Sequence, residues 1–495
     1  MPTDANPELN AAKLAAPDTK MTSKLWRTLV ILLLAQFMMA VDFSILNVAL
    51  PEVGAALGFS LGGMQWIVTS FALTAAGFTL FFGRLGDYLG RRNLFIGGMV
   101  LLGLSSLVGG MAESQTVLLS ARVMQGLSTA MVTPTALSLM TTSFPEGPLR
   151  DRALGMNGAI MSAGFTTGAV LSGVLLDLLS WRWLFFVNVP IAAIVVVFAP
   201  MLIKEPARDP SARKMTLDMP GAITVTAAVL SLVYGITALG NHGLEAFLGI
   251  ESMVLSVVLF GVFIVIEKRS AEPLVPLNIL KRRSVALGNI TGLLAFATET
   301  SLVFLMTLYL QEVLQQSGTV TGLAFGILGA GTVLGGVMAS RVISLIGHRG
   351  TLLAGFALQG VATAALILLT TNPGSIPLML IATFLGGIGN MLAIVGFMTA
   401  ATSGLPNKQQ GLATGLAILT QQFGITIGIP IMSAIVSARI LSQPDLAALS
   451  APERILGGVL FAIAINVALV VLGFLVALLL RPDRAPDGAE TVTQN

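Results

Sequence analysis

The chain has 495 residues, of which 55% are hydrophobic and only 10% are charged, with a mean hydropathy of +0.88. Soluble domains carry far more charge, so this composition excludes a soluble enzyme or nucleic-acid binder, and the net charge of +3 reports membrane topology instead. With no cysteine and two histidines, His242 and His348, both in expected loops, the chain also excludes disulfides, thiolate chemistry and a histidine-built metal or haem site, and no cofactor or metal is expected.

A polar tail, residues 1–23, opens the chain, and the apolar run behind it is too long for a cleaved signal peptide. Runs of about 20 apolar residues mark membrane-crossing helices, and fourteen are expected here. Six form an N-terminal bundle, residues 24–203: Thr28–Leu50, Met64–Phe82, Leu94–Met111, Val117–Thr142, Ala153–Leu176 and Trp183–Ile203. A linker, residues 204–283, holds two inserted spans, Met219–Leu239 and Ala246–Ile266, and a basic amphipathic segment from Lys268 to Arg283 on the inner leaflet. A second six-helix bundle, residues 284–481, contains Ser284–Leu310, Val320–Ile346, Thr351–Thr371, Ile376–Thr402, Gly411–Val436 and Ile455–Leu480, before a tail at 482–495. With the N-terminus inside, every Lys and Arg except Arg122, Arg182, Arg439 and Arg454 falls on the cytoplasmic side, so both termini are expected in the cytoplasm. The expected fold is an all-α membrane protein of two pseudo-symmetric bundles with two helices inserted between them.

Charge is concentrated in Gly83-Arg-Leu-Gly-Asp-Tyr-Leu-Gly-Arg-Arg92, between the second and third spans. Irregular charged backbone is not tolerated in hydrocarbon, so this segment is expected to be a short loop on one membrane face. Sliding the chain against itself by 257 residues superposes Arg84 on Arg341, Gly90 on Gly347, Arg92 on Arg349 and Gly158 on Gly415. The second copy has Ser344 in place of Asp87. The same shift carries Asp42, in the first span, onto Glu299, in the ninth, and these are the acids that lie well inside expected spans. A carboxyl group in lipid is costly and normally faces the bundle interior or a wet cavity. Burial favours its neutral form, so such a group can load and release protons. Two readings stand for each acid: proton or cation coupling, or a structural hydrogen bond to a neighbouring helix.

The 83–92 pattern, G-x-L-x-D-x-x-G-R-R, resembles the loop between helices two and three of major facilitator superfamily transporters. Val41-Asp-Phe-Ser-Ile-Leu-Asn-Val-Ala-Leu-Pro51 is similar to the first-helix signature of the family's fourteen-helix drug:proton antiporter branch. Arg122 to Gly126, reading Arg-Val-Met-Gln-Gly, resembles the fourth-helix R-x-x-Q-G motif, and Trp181-Arg-Trp-Leu-Phe-Phe-Val-Asn-Val-Pro190 resembles the segment that opens helix six. The C-terminal half matches mainly by helix count and glycine pattern. In the fifth span, Gly164-Phe-Thr-Thr-Gly-Ala-Val-Leu-Ser-Gly173 departs from the family's antiporter motif: Ala169 follows Gly168 where that motif has proline. Glycines Gly164, Gly168 and Gly173 must then permit close packing and flexing without a proline bend.

The resemblance implies a carrier that works by alternating access, with substrate held between the two halves. Gly83, Arg84, Asp87, Gly90, Arg91 and Arg92 are expected to gate it. In that role Asp87 would lie near Gln410 and Gly411 at a helix N-terminus, and Arg91 or Arg92 beside Glu146; the alternative is plain positive-inside topology. Arg122 either faces Asp42 and competes with the proton or snorkels to the outer surface. Phe37, Met38, Phe43, Phe71, Phe165, Phe296 and Met306 are candidates for an apolar, cation-tolerant pocket around the acids. The resulting expectation is a monomeric, non-enzymatic, proton-coupled exporter of hydrophobic or cationic compounds in a bacterial cell membrane. The alternatives are export of an endogenous lipid or secondary metabolite, then import of a metabolite.

Overall fold

The computed structural model describes residues 21–480, apart from 61–62, 145–147, 205–217, 240–243, 271–272, 274–276, 403–406 and 443–449. The described secondary structure is helical, in the order α1 (Ser23–Leu57), α2 (Gln65–Leu89), α3 (Arg91–Gly110), α4 (Gln115–Ser143), α5 (Pro148–Leu178), α6 (Trp183–Phe186) and α7 (Asn188–Leu202). There follow α8 (Met219–Leu239), α9 (Leu244–Arg269), α10 (Leu277–Leu280), α11 (Arg283–Leu308), α12 (Gly318–Ala365), α13 (Ile376–Thr402), α14 (Asn407–Ser442) and α15 (Ala451–Leu478). All fourteen expected spans fall on these helices. Among the described residues, eleven helical runs are long and apolar enough to cross a membrane. One is the 51-residue run Gly318–Leu368, which bends at Gly347 and carries two expected spans. Helices α2 and α4 carry the two remaining expected spans.

Local chemistry sets the helix ends. Thr22, Ser114 and Ser317 accept hydrogen bonds from Leu25, Val117 and Val320 at the starts of α1, α4 and α12, and Ser450 with Glu453 forms a capping box on α15. The 83–92 segment is not the expected loop. Helix α2 runs on through it to Leu89, and Gly90 alone, at φ 105°, turns the chain into α3. The density of charge marks where the helix leaves the hydrocarbon, and an α-helix is free to continue into water beyond that level. His348, expected in a loop, lies in α12 directly after the bend.

The 257-residue repeat appears in the backbone and in its hydrogen bonds. Gly90 and its counterpart Gly347 (φ 70°) both hold left-handed backbone, which side chains with a Cβ seldom adopt. Arg92 donates to the carbonyl of Ile203 past the end of α7 (3.3 Å), and its counterpart Arg349 donates to the carbonyl of Leu478 at the end of α15 (2.9 Å). Each arginine thus caps the exposed carbonyl end of the last helix in its half, where the helix dipole favours a cation.

Helices α1–α7 pack mainly on one another, as do α11–α15; the two groups meet where α5 lies against α12 and α2 against α14. Helix α8 wedges against both α2 and α14, while α9 packs chiefly on α8 and leaves Val254, Val257 and Val258 exposed to the lipid side. Among those eleven runs, the ones that carry the two acids, on α1 and α11, are the most deeply buried.

Candidate functional site

Asp42 lies midway along α1 with 1% of its surface exposed, and Arg122 on α4 is wholly enclosed. Arg122 Nη1 donates to Asp42 Oδ2 at 3.3 Å, so of its two expected orientations the inward one is found. Backbone and side chain also hold the guanidinium: Nε donates to the Ile67 carbonyl (2.9 Å) and Nη1 also to Gln125 Oε1 (2.8 Å), while Nη2 has no hydrogen-bond partner among the described residues. The Phe71 ring lies 4.3 Å below the guanidinium carbon, where the negative ring face favours a cation.

The other carboxylate oxygen is held just as firmly. Asn188 Nδ2 donates to Asp42 Oδ1 at 2.6 Å and Gln125 Nε2 donates to the same atom at 3.1 Å. Both amides also donate to Ser106 Oγ, at 3.0 and 2.9 Å. Three helices, α1, α4 and α7, therefore meet on one carboxylate, and α3 joins them one step away through Ser106. A buried carboxylate is tolerable only when its charge is paired and its lone pairs are used, and this one satisfies both conditions. Ser106, Gln125 and Asn188 were not among the expected site residues. Gln125 and Asn188 stand inside the two motifs quoted for the fourth and sixth spans, and that was the available signal. Nothing in the sequence around Ser106 singles it out.

Small residues bring the helices close enough for these contacts. A Cβ on Gly164 would lie 2.7 Å from the Phe37 carbonyl, and one on Gly168 would overlap Ser44 Oγ and lie 2.8 Å from the Val41 carbonyl. Helix α5 thereby packs on α1 at the level of Asp42. Farther along α5, a Cβ on Gly173 would overlap the Gly318 carbonyl, at the start of α12 in the other group. Among the described residues, hydrogen bonds link the halves at this same end, remote from residues 83–92. Thr319 Oγ1 donates to the Gly173 carbonyl (3.1 Å), and Gln311 Nε2 donates to the Val48 carbonyl (2.7 Å). Ala169 is buried and α5 is unbroken across it, while the Ala169 carbonyl abuts Gly322 on α12.

The expected pocket residues separate. Phe43 lies 6.0 Å from Phe71 and 6.1 Å from Phe165, forming an aromatic group beneath Arg122. Phe37 packs at its edge, through Gly164. Phe296 is in the other half and stacks edge-on against Phe397 at 6.2 Å. Met38 and Met306 are completely enclosed in the packing of their own helices. Glu299 is half-buried on α11 and is not brought to Asp42; Thr298 beside it, not Glu299, meets the polar side chains of the second half. Gly83 and Gly90 are described, as are Arg91 and Arg92. The side chains of Arg84, Asp87, Gln410 and Gly411 lie outside the described residues, as does Glu146, and with them the expected Asp87 and Glu146 contacts.

Comparison with known proteins gives this geometry its family. A profile of the Major Facilitator Superfamily matches residues 32–429 and 288–494. The chain is 34% identical over 92% of its length, and 94% of the relative's, to the cephamycin export protein CmcT of Amycolatopsis lactamdurans. It is 32% identical to the lincomycin resistance protein of Streptomyces lincolnensis, over 86% of this chain and 87% of that one. It is 31% identical to the multidrug resistance protein Stp of Mycobacterium tuberculosis, over 83% and 76%. Among solved structures, an auto-inhibited POT family peptide transporter superposes with a TM-score of 0.67 at 15% identity, covering 93% of this chain and 99% of that one. The nucleoside transporter NupG superposes at 0.61 and 12% identity, covering 92% and 100%. With its helices, its internal repeat and these matches, the chain is a multi-pass membrane protein that belongs to the Major Facilitator Superfamily.

Proposed function

We propose that this protein exports lipophilic or cationic small molecules across a bacterial cell membrane in exchange for protons, as a monomer with both termini in the cytoplasm. The observation that carries the reading is the Asp42 carboxylate, buried and held by Arg122, Gln125 and Asn188. A proton arriving on Asp42 cancels the charge that Arg122 pairs with. The guanidinium is then left with the Ile67 carbonyl, Gln125 and the Phe71 ring. The polar ties that hold α1 to α4 and α7 weaken together, and α1 is the helix whose Val48 carbonyl is tied to Gln311 of the other half. Protonation at one carboxylate thus reaches a contact between the halves, which is what alternating access requires. The drive is adequate: about 2.3 kcal/mol per charge per 100 mV, against about 1.4 kcal/mol for each tenfold concentration ratio.

The relatives named for export and resistance support the outward direction. One of them, named for cephamycin export, also supports a second reading, in which the cargo is a secondary metabolite. Accumulation assays in a drug-sensitive bacterial host separate the two. Lowered accumulation of ethidium and quaternary ammonium compounds, abolished by a protonophore, is the expected outcome. Protonophore-sensitive efflux restricted to natural-product antibiotics would select the second reading, and accumulation unchanged for every compound would remove both.

A further inference from the structure

The second half carries a polar cluster on the same four helical positions that hold the Asp42 network. In the first half those are α1, α3, α4 and α7; in the second they are α11, the arm of α12 beyond Gly347, α13 and α15. Gln359 Nε2 donates to Thr298 Oγ1 (3.1 Å), Asn466 Nδ2 to the Thr298 carbonyl (3.1 Å) and Asn390 Nδ2 to the Ala295 carbonyl (2.9 Å). All three amides are therefore attached within one turn of α11, and all are buried, at 2%, 0% and 2% exposure for Gln359, Asn466 and Asn390. Thr363, the repeat counterpart of Ser106, is buried beside Gln359 on α12.

The chemistry of the cluster is one-sided. The Asn390 and Asn466 nitrogens face backbone carbonyls, which only accept. Thr298 Oγ1 gives its own proton to the Leu294 carbonyl (2.8 Å), so it must accept from Gln359. The amide orientations are thereby fixed, and Gln359 Oε1, Asn390 Oδ1, Asn466 Oδ1 and Thr363 Oγ1 have no hydrogen-bond partner among the described residues. Three buried carbonyl-type oxygens and a hydroxyl call for a donor or a cation. In the first half the corresponding cation is covalently resident: the Arg122 guanidinium meets Gln125 Oε1 and Asp42. Shifted by 257, position 122 becomes Met379, so the second half has no arginine there.

We propose that the carboxamide cluster of Gln359, Asn390 and Asn466 on α11–α15 is a site for a free monovalent cation, sodium, which takes the place that Arg122 fills in the first half. Oxygen-only ligands from amides and hydroxyls suit a hard alkali ion, and membrane carriers hold such ions near the bilayer midplane with oxygens of this kind. The site is separate from the Asp42 network and stands or falls apart from proton-coupled export.

The test is thermal unfolding of the purified full-length protein in NaCl, KCl and choline chloride at equal ionic strength and fixed pH. A bound ion raises the midpoint by mass action, so sodium over choline should give a saturable rise on the order of 2–5 °C. Asn390→Leu and Asn466→Leu should each lose that rise, while Asp42→Asn, which disables the other site, should keep it. Binding of radioactive sodium to the wild type, displaced by unlabelled NaCl, provides the same reading if a leucine variant does not fold. Equal midpoints in all three salts together with no displaceable radioactive sodium would leave the oxygens to internal water and overturn the proposal. A midpoint that follows pH at fixed sodium, and not sodium at fixed pH, would assign the site to hydronium and overturn the alkali-ion form.

Discussion

Asn188 lies 146 residues beyond Asp42 in the chain, yet its amide donates to the Asp42 carboxylate at 2.6 Å, the shortest contact in the network. The first residue of α7 thereby fixes the acid of α1. Hydrogen bonds to a charged group contribute about 1.5–3 kcal/mol, and an unmade one costs as much again in desolvation. Asn188→Leu is expected to reduce coupled export by about tenfold or more. Protein yield and elution volume should stay as in the wild type. Export at the wild-type rate in vesicles of matched protein content would remove Asn188 from the coupling site.

The Asp42–Arg122 pair should show the asymmetry of buried ion pairs. Removing one partner leaves an uncompensated charge and costs about 3–5 kcal/mol, whereas replacing both is close to neutral. Asp42→Asn is expected to lower the thermal midpoint clearly, and Asp42→Asn combined with Arg122→Met to restore most of it. Neither variant should transport. Equal destabilisation in the single and double variants, measured by unfolding of purified protein, would mean that the two charges are not paired.

Much of this arrangement was legible in the sequence, and the remainder has a physical reason for being hidden. Spans follow from hydropathy because lipid leaves the backbone almost no alternative to helix. The repeat was legible because Gly90 and Gly347 must adopt positive φ, and Arg92 and Arg349 must each cap a helix end; these demands constrain residue type. The helical course of Gly83–Leu89 was not legible, since charge reports depth in the membrane and not where a helix stops. Ser106 was not either: a serine in an apolar span reads as filler until α4 and α7 bring Gln125 and Asn188 onto it. Glu299 shares Asp42's place in the repeat, but the side chain that meets the second polar cluster is its neighbour Thr298, a rotation that a residue count does not reveal.

The two repeat arginines should matter alike to stability. Each caps the last helix of its half, and charges at helix ends contribute about 0.3–1 kcal/mol, more where partly buried. Arg92→Gln and Arg349→Gln are expected to lower the unfolding midpoint by similar small amounts, adding when combined because the sites are far apart. A large loss in one and none in the other would break the parallel.

Gly90 and Gly261 offer a contrast within one chain. Gly90 holds φ 105°, so Gly90→Ala is expected to destabilise by about 1–2 kcal/mol. A Cβ on Gly261 of α9 meets nothing within 4 Å, so Gly261→Ala should be neutral or stabilising by up to about 1 kcal/mol. Melting curves that order these two variants the other way would contradict the backbone assignment at Gly90.

The contact between Gln311 and Val48 joins the halves at the end remote from residues 83–92. The chain has no cysteine, so Val48→Cys with Gln311→Cys introduces one unique pair. A short reducible bifunctional thiol reagent should link the pair and stop transport, and reduction should restore it. Undiminished transport in the fully linked protein would show that these ends need not separate.

The most direct test of proton-coupled export is proton movement in energised inside-out vesicles. Ethidium, quaternary ammonium compounds and natural-product antibiotics are added in turn, and wild type is compared with Asp42→Asn. Substrate-dependent collapse of the pH gradient in the wild type, absent in Asp42→Asn despite equal protein content, is the predicted result. Collapse of equal size in both proteins would show that Asp42 does not carry the proton and would contradict the account at its centre.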